Sequence, residues 1–62
     1  MTNAFKIANR NGATIIRRGN GNDFEAIYSC EADANMAASA IEAADAGFVF
    51  RMGTKIGVFV KN

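Results

Sequence analysis

The chain has 62 residues, of which 50% are apolar and 21% are charged, and its formal net charge at pH 7 is +1. This composition excludes a disordered chain, and no segment approaches the ~20 consecutive apolar residues of a membrane-spanning helix. A single cysteine and the lack of histidine exclude an internal disulfide and the usual zinc-ligand sets. We therefore expect a complete, cytoplasmic protein of one domain, residues 1–62, with no metal and no cofactor.

The charged residues are unevenly distributed along the chain. All six acids lie between residues 23 and 45, and all seven bases lie outside that window. Two interpretations are open. The separation is incidental to solubility, or it makes the folded molecule bipolar, with an acidic and a basic side.

The N-terminal segment carries the pattern of a β-hairpin. Asn11-Gly12 suits a type I′ turn, in which both central residues take positive φ, and it lies between two alternating segments. A two-residue loop would place Ile7 opposite Ile16 on one face and Lys6 opposite Arg17 on the other. The second pair brings like charges together, which is mildly destabilising unless an acidic partner lies across it.

A third strand is predicted after the loop of residues 18–23, which is rich in glycine and asparagine. Residues 24–29, FEAIYS, are enriched in aromatic and β-branched side chains. Side chains alternate between the two faces of a strand, so Phe24, Ala26 and Tyr28 should share one face.

The alanine-rich segment of residues 31–47, EADANMAASAIEAADAG, predicts a helix. Ser29 or Asp33 can serve as its N-cap, and Gly47 can end it in the left-handed conformation. At 100° per residue the helix has an apolar face and a polar face. The apolar face carries Met36, Ala37, Ala40, Ile41 and Ala44, and the polar face carries Asn35, Ser39, Glu42 and Asp45 with Glu31 nearby.

The C-terminal residues 48–60 predict a second hairpin, because Gly53-Thr54 suits a type II′ turn. That turn pairs Phe48 with Phe59 and Val49 with Val58. Both faces of the hairpin are then apolar. One carries Phe48, Phe50, Met52 and Phe59, and the other carries Val49, Ile56, Val58 and Val60.

Together these elements predict an α+β fold. It consists of a single antiparallel sheet of four to five strands, in the order β-β-β-α-β-β, with one helix packed on one face. One helix leaves the second face of the sheet uncovered. We expect the helix to cover the aromatic row and the aliphatic row to be exposed beside the bases. The alternative is a sheet curled enough to hide those valines.

An apolar patch rimmed by bases is typical of a partner interface. The predicted partner-binding residues are Lys6, Arg10, Arg17, Arg51, Ile56 and Val58, with Val58 as the central apolar anchor. The acidic face of the helix is the second candidate surface, because acidic surfaces can mimic nucleic acid. Its residues are Glu31, Glu42 and Asp45.

Three further features receive structural interpretations. Residues 46–51, AGFVFR, partly resemble the aromatic strand motif of RNA-recognition domains, whose aromatic side chains stack on bases. The basic residue that begins that motif is missing here, so we interpret Phe48 and Phe50 as core residues. Cys30 has no histidine to act as its base and is interpreted as a buried or half-buried structural cysteine. The carboxylates show no shared pocket, so we assign no catalytic residue and do not expect an enzyme.

A compact α+β domain of this length with a charged face resembles the small inhibitors encoded by bacteriophages, of which anti-CRISPR proteins are the best-known set. The resemblance covers the whole chain in size and architecture and includes no shared motif, so it transfers no residue roles. It implies a non-enzymatic inhibitor that binds a host protein or ribonucleoprotein complex that handles nucleic acid. Two other hypotheses stay open: a module that binds single-stranded nucleic acid through the basic sheet face, and a homodimer formed through that face.

Overall fold

The computed structural model describes residues 3–19 and 21–61. The elements are α1 (Asn3–Arg10), β1 (Ile15–Arg18), β2 (Phe24–Ile27), α2 (Glu31–Ala43), β3 (Gly47–Met52) and β4 (Lys55–Val60). The strands form one antiparallel sheet in the spatial order β1-β2-β4-β3. The predicted α+β class and single antiparallel sheet are confirmed. Within the described residues the order is α-β-β-α-β-β, with two helices and four strands; it replaces the predicted order, and the five-strand option is wrong.

The N-terminal segment forms α1 rather than a hairpin strand. Ala4 and Ala8, one helical turn apart, are fully buried, so the apolar stripe has a helical period once the alanines are counted. Asn11-Gly12 ends this helix. The backbone and side-chain nitrogens of Asn11 both donate to the carbonyl oxygen of Ile7, and Gly12 has a φ of 88°. The predicted first hairpin is therefore wrong, because its turn sequence also suits a helix C-terminus.

The predicted helix and the last hairpin are confirmed, with corrected boundaries and, for the helix, a corrected buried face: Met36 and Ala44, predicted on the apolar face, are exposed. α2 begins after Cys30, whose backbone is extended and whose side chain makes no capping hydrogen bond, so neither Ser29 nor Asp33 is the N-cap. Asp45, with a φ of 54°, takes the left-handed position after the helix. Gly47 instead begins β3. The β3–β4 register is the predicted one, from Phe48 opposite Phe59 to Arg51 opposite Ile56.

Both helices pack on the same face of the sheet. α2 contributes a row of small residues and one large one, and α1 contacts α2 and, through Phe5, the first residue of β2. The ring of Phe5 meets that of Phe24 edge to face, with centroids 5.7 Å apart. The buried apolar side chains of α2 and of the strands are Ala34, Ala37, Ala38, Ile41, Phe24, Ala26, Ile56 and Val58. Alanine-lined helices can approach a sheet closely, and the β-branched Ile56 and Val58 of β4 are fully buried between the layers.

Tyr28 connects α1 to the sheet. It is buried, and its hydroxyl donates a hydrogen bond of 2.9 Å to the carbonyl oxygen of Ala8. Burial raises the pKa of Tyr28 from 10.0 to about 12, because the charged phenolate loses its hydration inside the protein.

Tyr28 is therefore expected to make the fold sensitive to alkaline pH. The folded pKa is above the unfolded one, so the stabilisation is complete below pH 10.0 and is lost as the pH rises through about 12. We expect Tyr28→Phe to lower the free energy of unfolding at neutral pH by about 1 kcal/mol and to flatten its dependence on pH in that window. Urea unfolding followed by circular dichroism at several pH values measures both effects. Equal alkaline losses in the two proteins would contradict this role.

Candidate functional site: the open face of the sheet

The face of the sheet that turns away from both helices carries the aromatic and methionine side chains of β3 and β4. Strand alternation assigns side chains to this face. Ile56, Val58 and their cross-strand partners point toward the helices, so the residues that alternate with them along each strand point the other way. We call this surface the open face. It consists of Ile15, Arg17, Glu25, Ile27, Phe48, Phe50, Met52, Lys55, Gly57 and Phe59.

Three phenylalanines form an aromatic cluster on the open face: Phe48, Phe50 and Phe59. Phe48 is 73% exposed and Phe50 is 55% exposed. The rings of Phe50 and Phe59 meet edge to face with centroids 5.6 Å apart, and Phe48 is the cross-strand neighbour of Phe59. Met52 extends the cluster along β3 and is also exposed. The result is an apolar surface that faces solvent, and exposed apolar surface of this kind is a candidate for binding.

Gly57 lies between the aromatic half and the charged half of the open face. Its neighbours across the sheet are Phe50 on β3 and Glu25 on β2. A Cβ atom at this position would collide with the side chain of Asn22, from the loop between β1 and β2, and would press on the end of Met52. Only glycine therefore allows the Asn22 side chain to lie on the sheet here. That side chain lies between the aromatic half and the charged half of the open face.

The charged half of the open face is an ion-pair network around one carboxylate. Glu25 Oε1 lies 3.1 Å from Arg17 Nε, and Glu25 Oε2 lies 3.9 Å from Lys55 Nζ. The Glu25 side chain is only 10% exposed, so its charge is held between two bases. With two bases and one acid, the open face carries a net charge of +1.

The other ion pairs also join acids of the central window to bases outside it. Arg51 donates two hydrogen bonds to Glu42, of 2.9 and 3.0 Å, and one to Ser39. Its guanidinium lowers the pKa of Glu42 through these hydrogen bonds. Lys61 Nζ lies 2.8 Å from an Asp45 oxygen. Folding thus brings the two charge classes together, and these contacts do not favour the bipolar molecule that was one of the two interpretations of the sequence.

The structure does not bring the predicted partner-binding residues together on one surface. Lys6 and Arg10 are exposed on α1, in the helix layer, and Arg17 lies on the open face. Arg51 points toward α2. Ile56 and Val58 are fully buried, so the expectation of an exposed aliphatic face with Val58 as its anchor is wrong.

The second candidate surface, the acidic helix face, is exposed as predicted, but two of its three acids are in ion pairs. Glu31 and Glu42 are exposed on α2, and Asp45 is exposed just beyond its end. Glu42 and Asp45 are each neutralised by a base, Arg51 and Lys61 respectively. Cys30, expected to be buried or half-buried, is exposed.

The interpretation of Phe48 and Phe50 as core residues is also wrong, because both are exposed. The signal that could have located them was present in the sequence. AGFVFR resembles a strand motif whose aromatic side chains lie on an uncovered sheet, and Val49, between the two phenylalanines, is half-buried.

A separate cleft of ≈ 410 Å³ opens beside α1, on the helix side of the sheet. Its lining is mostly apolar, with an acid and two bases among the residues. They are Phe5, Ile16, Arg17, Arg18, Asp23, Phe24 and Val60. Asp23 is already engaged at this end of the sheet, because its carboxylate accepts a 2.6 Å hydrogen bond from the Val60 backbone N–H.

Over residues 3–19 and 21–61, the structure contains no helix long and apolar enough to cross a membrane, and no group of three or more metal-ligating side chains. Comparisons with protein-family models, with curated proteins and with solved structures find no match for this chain.

Proposed function

We propose that this chain is a small non-enzymatic protein that binds another protein through the open face and inhibits that partner by occupying its surface. The observation that carries the proposal is the aromatic cluster with Met52, exposed on the helix-free face of the sheet. Complexes that handle nucleic acid are the first class of partner to test, because the resemblance to phage inhibitors implies them.

The composition of the open face supports a protein partner. Interfaces are enriched in phenylalanine, methionine and arginine at their centres, and lysine and glutamate are depleted there. Burying one exposed phenylalanine yields about 1.5–3 kcal/mol, so Phe48 and Phe50 can act as anchors. The edge-to-face packing of Phe50 with Phe59 holds part of the cluster in place before a partner arrives.

The electrostatics of the open face favour a protein over single-stranded nucleic acid. The aromatic cluster could stack against nucleobases. Affinity for a polyanion, however, comes mainly from lysine and arginine side chains that neutralise its phosphates. The two bases of this face, Arg17 and Lys55, share the carboxylate of Glu25. A nucleic acid would have to compete with that carboxylate for both of them.

Four carboxylates of the central acidic window have structural partners, which supports a non-enzymatic role. Glu25 pairs with Arg17 and Lys55, and Asp23 accepts the Val60 amide. Glu42 and Asp45 are each in an ion pair of their own. Each of these acids therefore stabilises a different contact of the fold.

Site-specific photo-crosslinking tests the proposal. We expect p-benzoylphenylalanine at position 48 to crosslink to a partner protein in cells of the source organism. The same probe at position 36 is the control, because Met36 is also exposed, at 64%, but lies on α2. Phe48→Ser should abolish co-purification of the crosslinked protein, whereas Met36→Ser should leave it unchanged, and both variants should fold.

The competing outcomes are distinct. Equal capture from positions 48 and 36, or capture unaffected by Phe48→Ser, would place the interface elsewhere. Crosslinks to nucleic acid would indicate that the partner is a nucleic acid and not a protein. In that case, binding of a single-stranded oligonucleotide should weaken in Phe48→Ser and fall with added salt.

A further inference from the structure

The two edges of the sheet differ in how they are protected from pairing with another strand. β1 has only four residues and ends in Arg18, whose exposed charge is in no ion pair with the described residues, whereas Arg17 is paired with Glu25; a short edge with a free charge resists pairing. β3 has six residues, and its one charged side chain, Arg51, is engaged with Glu42 of α2. An edge strand of this length without proline or a free charge is open to pairing.

Hydrogen-bond parity shows which backbone groups β3 presents at this edge. The Lys61 N–H donates to the Ala46 carbonyl at 2.8 Å. The backbone N–H and C=O groups of even-numbered residues at this end of β3 therefore point toward β4. Consistently, the carbonyls of Thr54 and Val58 on the other side of that hairpin accept hydrogen bonds from Tyr28 and Asp23. In an antiparallel ladder the parity alternates strictly, so Gly47, Val49 and Arg51 direct their N–H and C=O groups outward.

We propose that β3 pairs antiparallel with β3 of a second copy of this chain, with Val49 opposite Val49 about a two-fold axis perpendicular to the sheet. This register uses the outward groups of all three residues, because Gly47 then faces Arg51 of the second copy. It makes about six backbone hydrogen bonds, whereas centring the axis on Phe48 or Phe50 makes about four. Centring it on Arg51 would oppose two like charges.

The side chains fit the same register. On the open face, Phe48 lies opposite Phe50 of the second copy, twice about the axis, in the closely spaced pairs of the new ladder. On the helix side, Arg51 lies opposite a glycine, so its contact with Glu42 has room to persist. The dimer has a continuous sheet of eight strands, with all four helices on one side and both aromatic clusters on the other.

This dimer does not require the proposed function, because it follows from the edge of β3 alone. It deepens that function where both hold, since the open faces of two copies merge into one larger binding surface. The tests are independent: dimer formation is measured on the purified chain with no partner present.

Disulfide mapping tests the register. In a Cys30→Ser background, Phe48→Cys and Phe50→Cys are prepared separately. Their Cα atoms would lie about 4.5 Å apart across the dimer, within reach of a disulfide. Two copies of the same variant would place like cysteines about 8 Å apart, beyond that reach. We expect mild oxidation to give a species of twice 6.6 kDa from the mixture and little from either variant alone.

Two results would overturn the inference. Efficient crosslinking of Phe50→Cys with itself would reject the register, and sedimentation of the unmodified chain as a monomer at every concentration would reject the dimer. Because cysteines replace two interface rings, a second variant keeps the test independent of them. Methylation of the Val49 amide nitrogen in the synthetic chain removes an outward donor and leaves the β4 ladder intact. It should give a folded monomer, and persistence of the dimer would reject β3 pairing.

Discussion

Val58→Asp is expected to unfold the domain, whereas Phe48→Asp is expected to leave it folded. Val58 is fully buried between the sheet and the helices, and Phe48 is 73% exposed. An unpaired carboxylate in the core costs several kcal/mol, and a domain of this size has a total stability of about 3–9 kcal/mol. The surface change at Phe48 should alter the free energy of unfolding by no more than about 0.5 kcal/mol.

Thermal unfolding followed by circular dichroism compares the two variants directly. The pair is informative because the sequence alone predicted the opposite assignment of faces. A folded Val58→Asp variant together with an unfolded Phe48→Asp variant would restore that assignment, and the open face would then be the aliphatic one.

Ala37→Leu is expected to lower the free energy of unfolding by about 1–3 kcal/mol, although leucine is a good helix former. Ala37 is fully buried on the face of α2 that packs against the sheet. The close approach of the two layers leaves no volume for three additional carbon atoms, so the helix must shift or neighbouring side chains must leave their preferred rotamers.

The matched control is Ala32→Leu, which adds the same atoms to an exposed position of the same helix. It should change stability by no more than about 0.5 kcal/mol. Urea titration of both variants measures the difference. Equal stabilities would show that α2 does not depend on a small face, and close packing between helix and sheet would then be the wrong explanation of its alanines.

The proposed function and the proposed dimer use neighbouring surfaces in different ways. The aromatic cluster offers side chains to a partner, and the edge of β3 offers backbone groups. Phe48 and Phe50 contribute to both. Phe48→Ser is therefore expected to weaken partner capture strongly and self-association partly, whereas methylation of the Val49 amide should affect self-association first.

The sequence by itself determined the parts of this protein that depend on local geometry. The α2 helix follows from the spacing of apolar residues, and the β3–β4 hairpin and its register follow from a two-residue turn in which Gly53 takes a φ of 69°. Strand alternation also sorted the hairpin side chains correctly into an aromatic row and an aliphatic row. These features need no knowledge of what packs against them.

Only the tertiary structure decided which row is buried and what the N-terminal segment becomes. Both rows of the hairpin are apolar, so hydrophobicity does not choose between them. The choice follows from shape, because Val58 and Ile56 fit beneath the small face of the alanine-lined α2, whereas the large buried ring of Phe24 packs beside Phe5 of α1. Residues 3–10 satisfy a strand period through Phe5 and Ile7 and a helical period through Ala4 and Ala8. Packing of those two alanines in the core favours the helix, α1. Because α1 and α2 lie on the same side of the sheet, the aromatic row on the other side is exposed as the open face.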